Sequence, residues 1–457
     1  MCVGESTRRS LRSILNQTGQ EPYPQNPISV TNDSRTYLGI DLGTSGVRSV
    51  LISGTGEVLA EARTGLPETQ DSGGMKTQKP DDWWNAVLDS LRQLVAQRTL
   101  TDVAGLCVDG TSGTTLLTDA ENRPLTPALM YSDTRLPETA RQLLEIVPQA
   151  ANACSLSSAL LKAWWLREHY APAGDYYIQQ QADWILSRLR GTPGISDWNN
   201  GLKLGYDVVN KTWPEWMQQM NWPVGALPEV FAPGTQVDTI NTDMAAETGL
   251  PQDTQLHAGS TDGVAAFLAS GASQHGDAMT SLGSTLILKL CSRHPVASPE
   301  HGVYSHRLDE NRWLAGGASN TGGAVLKQLF KNDDLRSLSL DMHPDTDTGL
   351  NYYPLPAVGE RFPINDPEKK PLMNPVPENP AIFLQGLFEG IARVEKTGYD
   401  LLEQLGADPV TSIRTTGGGA ANITWTNIRE RIVGRPMQEG LHDEAAYGMA
   451  RLAAGLF

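Results

Sequence analysis

Cysteine is scarce in this chain. Only Cys2, Cys107, Cys154 and Cys291 occur in 457 residues, and no two form a CxxC pair. That excludes a disulfide framework and a cysteine zinc site, and leaves inert or buried thiols in a reducing compartment. Positive charge is also in short supply. Lys and Arg number 36 against 52 Asp and Glu, a formal charge of −16, which argues against nucleic acid or an anionic membrane as partner. A local anion such as a nucleotide remains compatible, because backbone amides and Mg²⁺ act at close range. No apolar run approaches the roughly 18 residues of a membrane span. Low-complexity tracts and repeat arrays with periods of 20–50 residues are missing too.

What is present suits an α/β protein with many tight turns: 39% hydrophobic residues, 44 Gly and 29 Pro. At this length two domains are expected. Residues 1–35 stand apart. Arg8, Arg9 and Arg12 precede EPYPQNPIS, and the hydrophobic pattern begins only at Tyr37. This stretch reads as a flexible extension or an organellar transit peptide, the latter weakened by Glu5, Glu21 and Asp33. The corresponding location is the cytoplasm, or the plastid stroma if 1–35 is a targeting segment.

From Tyr37 onward strands are expected at 37–41, 47–53 and 57–63, with a helix over 81–96 that starts after Pro80. Strand-turn-strand units are expected at 103–119, from His257 and from about 278. Helices are expected at 155–170, at 181–190 and over the tail EAAYGMARLAAGLF. The Pro- and Asp-rich stretch 341–380 reads as an ordered surface excursion.

The chemistry concentrates in turns. Residues 37–48 read YLGIDLGTSGVR, a strand ending in Asp41 followed by Gly43, Thr44, Ser45 and Gly46. Amides in such a turn can approach phosphate oxygens, and the carboxylate can hold a metal ion that neutralises them. The plain alternative is an Asx-turn closing a hairpin. Similar chemistry returns as GSTDG at 259–263, SLGST at 281–285 and TGGGAAN at 416–422. Four such loops suggest an ATP-using phosphotransferase.

The motifs GIDLGTSGVRSV, VDGTSGTTLL, LKAWWLREH, QQADWILSRLRG, SDWNNGLKLGYD, AGSTDGVAAFLASG, SLGSTLILKL, GGASNTGGAVL and TTGGGAANITWTNIR follow one another in family order. In them the chain resembles the FGGY carbohydrate kinases. SLGSTLILKL, YYPLPAVGERFPI and QADW are similar to the D-ribulokinase (xylulokinase-like) branch of cyanobacteria and plant plastids. The resemblance implies an α/β, two-lobed fold of the actin/Hsp70/hexokinase (ribonuclease H-like) kind with a central cleft. It implies an N-terminal sugar domain over 36–269 and a C-terminal nucleotide domain over 270–457, whose last helix can pack back on the first.

It further implies ATP and Mg²⁺ as cofactors and a ketopentose as substrate, D-ribulose before D-xylulose; a catalytically quiet sugar- or nucleotide-binding protein is the alternative. By position Asp262 becomes the general base, where a helix N-cap is the plain reading. Asp41 would hold the metal, and Asp41 with Thr44 would act in catalysis. Gly43, Thr44 and Ser45, together with Gly283, Ser284 and Thr285, would meet the phosphates. Gly417, Gly418 and Gly419 would allow close approach to the nucleotide. Asn422 and Trp425, three apart on a helix, would hydrogen-bond and stack on adenine, or else cap and pack. Asp41, Ser45, Gly46, Asp109, Ser112 and Asp262 would contact the sugar, with Gly110 and Thr111 in the same loop. Lys203 and Asn200 are weaker candidates, and His257 reads as structural. The partners are small molecules, and the assembly a monomer or homodimer.

Overall fold

A computed structural model describes residues 35–147, 155–156 and 158–457. Residues 1–34, which make up nearly all of the extension, together with 148–154 and 157, therefore lie outside the described residues.

Two six-stranded sheets organise residues 35–457. In the first, the strand order is Gln236–Thr239, Gln255–Thr261, Val103–Gly110, Thr36–Leu42, Gly46–Ser53, Val58–Gly65. The last three strands form an antiparallel meander, whereas Thr36–Leu42, Val103–Gly110 and Gln255–Thr261 run parallel. The second sheet runs Tyr304–Arg307, Trp313–Ser319, Leu286–Ser292, Asp277–Leu282, Ser412–Thr416, Met437–Glu439. It repeats the scheme, with antiparallel strands first and parallel Ser412–Thr416 and Met437–Glu439 on the far side.

The helices repeat as well. Pro80–Gln97, Gln181–Arg190 and Asp262–Ala269 in the first half answer to Pro380–Gln404, Ile423–Val433 and Ala445–Ala454 in the second. The turn chemistry alone hinted at two similarly built lobes, and the strand order makes the duplication explicit. Each sheet carries its own apolar core: Trp83, Leu91, Leu106 and Trp184 lie in the first, and Leu288, Phe362, Phe388 and Ile413 in the second.

The last helix, Ala445–Ala454, joins the two. It packs on the first strand and on Asp262–Ala269 so closely that glycine is required. A β-carbon on Gly39 would lie 1.8 Å from the Ala446 carbonyl oxygen, and one on Gly448 would lie 2.0 Å from that of Ala265.

Several sequence expectations need correction. Residues 103–119 are no hairpin, because Thr115–Thr118 leaves the first sheet for a separate five-stranded one. The segment from His257 is strand then helix: Ala265, Ala266, Phe267 and Leu268 favour a helix once Asp262 has turned the chain. The helix expected at 155–170 spans Ala159–Tyr170, with Ser158 as cap accepting from Leu161 N. The excursion at 341–380 is pinned by Phe362, whose ring fills space left by Gly317 and Gly398.

Candidate active site

Parallel strands direct their C-terminal ends to one edge of a sheet, where α/β proteins build sites. Here Asp41 lies in register with Asp109, and Asp109 with Ser260, two residues before Asp262. Asp109 is wholly buried, and neither carboxyl oxygen has a protein hydrogen-bond partner. Burial pushes its pKa well above the ordinary value, and the nearby Asp41 and Asp262 add to that. Burial also raises Asp41, against the opposing pull of Arg48. Each of two neighbouring desolvated carboxyls makes ionisation of the other more costly.

Asp262 opens its helix as the first helical residue; the cap position belongs to Thr261. The capping reading therefore fails. The Asp262 carboxylate accepts from Gly263 N at 2.7 Å. Burial raises its pKa to about 6, opposed by that amide, helped by Asp41, and lowered by Lys289 and Lys203. Gly259 serves packing, since a β-carbon there would lie 1.8 Å from the Val108 carbonyl oxygen.

The turn after Asp41 is closed by Gly43 N donating to Gly46 O at 3.0 Å. Arg48, unmarked by sequence reasoning, donates to Asp41 Oδ2 at 3.0 Å and to Glu444 at 3.0 Å. Its guanidinium lies over Gly43, 2.8 Å from the place of a β-carbon. Gln78 Nε2 donates to Thr44 O at 2.8 Å and so holds the turn from below.

In the second lobe Gly283, Ser284 and Thr285 form the matching turn. Gly323 N donates to Gly283 O and Ala324 N to Ser284 O, at 2.8 and 3.0 Å. Gly419 N reaches Leu282 O at 3.1 Å, and Gly417 adopts φ +82° against Leu282 and Gly283. The two glycine loops thus lie against each other, while Gly418 has open space where a side chain would be.

A cationic group faces Asp262. Lys203, half-buried rather than on the surface, has its ammonium 4.1 Å from the centroid of the Tyr304 ring. The buried Lys289 lies 5.1 Å from the same ring and 3.2 Å from His306 Nδ1. The two ammoniums draw the Tyr304 phenol down to about 8, and burial holds His306 well below its ordinary value. A lysine in the otherwise apolar strand LILKL was the available signal for this group.

Other predicted residues fall elsewhere. Trp425 is 3% exposed and its ring stacks on Phe388, centroids 4.4 Å apart, so no face is open to adenine. Asn422 caps the helix, accepting from Trp425 N and donating to Ser339 Oγ at 2.8 Å. Asn200 donates to Asp197 at 2.6 Å and is spent there. His257 bonds Gly234 O at 2.9 Å, as a structural histidine does. Thr111 is held by Gln181 Oε1, which receives its amide at 3.0 Å and its hydroxyl at 2.7 Å. Ser112 Oγ is buried without a partner at the loop between Asp109 and Thr114.

Among the described residues no three His, Cys, Asp or Glu converge closely enough to hold a metal directly, and no helix is long and apolar enough to cross a membrane.

Comparison with known proteins agrees with this geometry. The chain is similar to a xylulose kinase of Escherichia coli, 27% identical over 439 residues and covering 91% of this chain and 89% of the relative. A gluconokinase of Bacillus subtilis is 22% identical over 430 residues, 86% and 82% of the two chains. Among solved structures, a xylulose kinase from Rhodospirillum rubrum superposes with a TM-score of 0.81 at 21% identity, over 92% of this chain and 89% of that one. Plasmodium falciparum glycerol kinase with ADP gives 0.82 at 16%, over 93% and 90%. These likenesses show the two-domain α/β sugar-kinase fold. The N-terminal domain profile of the FGGY family of carbohydrate kinases matches residues 36–269 and the C-terminal domain profile residues 278–456, and the chain belongs to that family.

Proposed function

We propose that this protein transfers the γ-phosphoryl group of ATP to a ketopentose, D-ribulose giving D-ribulose 5-phosphate, with Asp262 as general base. The observation that carries the reading is the Asp262 carboxylate, placed at a strand end beside two further aspartates and raised to about 6. A carboxylate suits the task because the hydroxyl loses its proton only as attack on phosphorus proceeds. Asp262 accepts that proton, the O–P bond forms, and ADP leaves.

Gly43, Thr44 and Ser45 on one side, and Gly283, Ser284 and Thr285 with Gly417, Gly418 and Gly419 on the other, bring turn amides and hydroxyls to the phosphates. Asp41, beside the unpartnered Asp109, offers oxygen donors that would hold Mg²⁺ through water, and the ion would supply charge neutralisation at the transferred group. Asp109, Ser112 and the Ser45–Gly46 turn offer the dense pairing a polyol needs.

D-ribulose is favoured by the stretches SLGSTLILKL, YYPLPAVGERFPI and QADW. D-xylulose is the second reading, because the E. coli relative carries that name. Coupled ADP release measured across ketopentoses separates the two. Turnover of D-ribulose no faster than D-xylulose rejects the first choice. Unaltered turnover in Asp262→Ala rejects the base, and no turnover of any sugar favours a binding protein.

A further inference from the structure

Lys289 lies in the strand Leu286–Ser292 with 3% of its surface exposed. Its stem runs beside Gly316, where a β-carbon would stand 3.0 Å from Cδ, and passes Gly263, where one would stand 3.7 Å from Cε. Two glycines therefore leave a channel from the second sheet toward the residue that follows the proposed base. The ammonium donates to His306 Nδ1 at 3.2 Å and lies 5.1 Å from the Tyr304 ring centroid. No carboxylate pairs with it at salt-bridge distance among the described residues. An ammonium buried with only a neutral imidazole and an aromatic face is expensive to keep. Packing alone gives no reason for it, since an apolar residue would fit the strand.

The surroundings of Asp262 supply a reason. The first-lobe strands bring Asp41 and Asp109, with Arg48 already paired to Asp41 and to Glu444, and helix Trp198–Leu204 brings Lys203. The second sheet brings Lys289, with Tyr304 and the neutral His306. We propose that Lys289 is a positioning residue for phosphoryl transfer: reaching across from the nucleotide lobe and steadied by His306, its ammonium offsets the neighbouring aspartates and steadies the Asp262 carboxylate for the acceptor hydroxyl. The inference rests on Asp262 being the base. It makes the proton-accepting step depend on a side chain from the opposite lobe.

The test is kcat/KM against pH for the full chain and for Lys289→Met, His306→Leu and His306→Gln, each checked for folding by thermal unfolding. With Lys289→Met the acid limb moves up by about half to one unit, so activity at pH 5.5 falls roughly three- to sevenfold further than activity at pH 8. His306→Leu moves the limb in the same direction, while His306→Gln, whose amide oxygen can accept from the ammonium, restores it. The histidine pair keeps the test decisive if Lys289→Met does not fold. An equal fall at every pH, with the limb in place, overturns the proposal. Asp262→Asn separates the two claims: retained turnover rejects the base itself. Lost turnover beside an unmoved limb in Lys289→Met rejects only the lysine's role.

Discussion

Asp262 combines two demands that conflict, and the conflict can be measured. As the proposed base it must be ionised at neutral pH, yet its surroundings penalise the charged form and raise its pKa to about 6. Asp262→Asn keeps the shape and is expected to lower kcat by about 10²–10⁴, read by coupled ADP release. Because the folded pKa lies above the unfolded value near 4, stability is lost as pH rises from about 4 through about 6 and stays lost above. The Asn variant should therefore unfold at a higher temperature than the parent at pH 8, with the gap closing toward pH 4. A constant gap across that range would show that desolvation of this carboxylate is not its cause. This trade of stability for function is common at active sites. Asp41 and Asp109 could be picked from the sequence because each lies near the end of an apolar strand, whereas Asp262, first in its helix, is singled out only by the family resemblance. Trp425 could not be resolved that way. A ring three residues after a capping Asn looks the same whether it stacks on a base or on Phe388.

At the level of elements, the glycines separate into two kinds that share one appearance in sequence. Gly39, Gly259 and Gly448 permit backbones to touch, whereas Gly418 has nothing within 4 Å. Gly448→Ala places a methyl 2.0 Å from Ala265 O and 2.8 Å from Ala269 N, so the terminal helix must shift. A loss of about 1–3 kcal/mol is expected, visible as a lower denaturation midpoint with the slope unchanged. Gly418→Ala should leave that midpoint alone and raise the KM for ATP about tenfold, equivalent to about 1.4 kcal/mol, because its methyl would occupy the approach to the phosphates. A folded Gly418→Ala enzyme with normal KM would remove this loop from the nucleotide site. Periodicity located most helices and strands, among them Gln181–Arg190 at its observed limits. It could not assign Val103–Gly110 and Thr115–Thr118 to different sheets. Pairing partners depend on contacts distant in sequence, and a Gly- and Ser-rich turn is equally compatible with a hairpin or a crossing.

For the molecule as a whole, Asp262, the proposed base, sits where the halves meet, so its position depends on how they are tied. One tie is Asn199, fully buried. Its Nδ2 donates to Arg307 O and to Ser260 Oγ, both at 3.0 Å, and its Oδ1 accepts from Arg307 N at 2.9 Å. One amide thus completes the edge strand Tyr304–Arg307 of the second sheet and fixes the residue two before Asp262 in the first. Asn199→Ala strands three buried polar groups, and a stability loss of about 1–3 kcal/mol is expected after water enters. If the tie also places the base, kcat falls along with stability and the sugar KM changes little, since no substrate contact is removed. Arg307→Met is the comparison. It deletes the guanidinium, which donates to Val208 O at 2.6 Å and lies over Trp198, but spares the backbone groups that Asn199 holds. It should cost stability and leave kcat near the parent value. Equal kcat in the two variants would mean that Asn199 supports the scaffold without aiming Asp262, and that the base is held by its own helix alone.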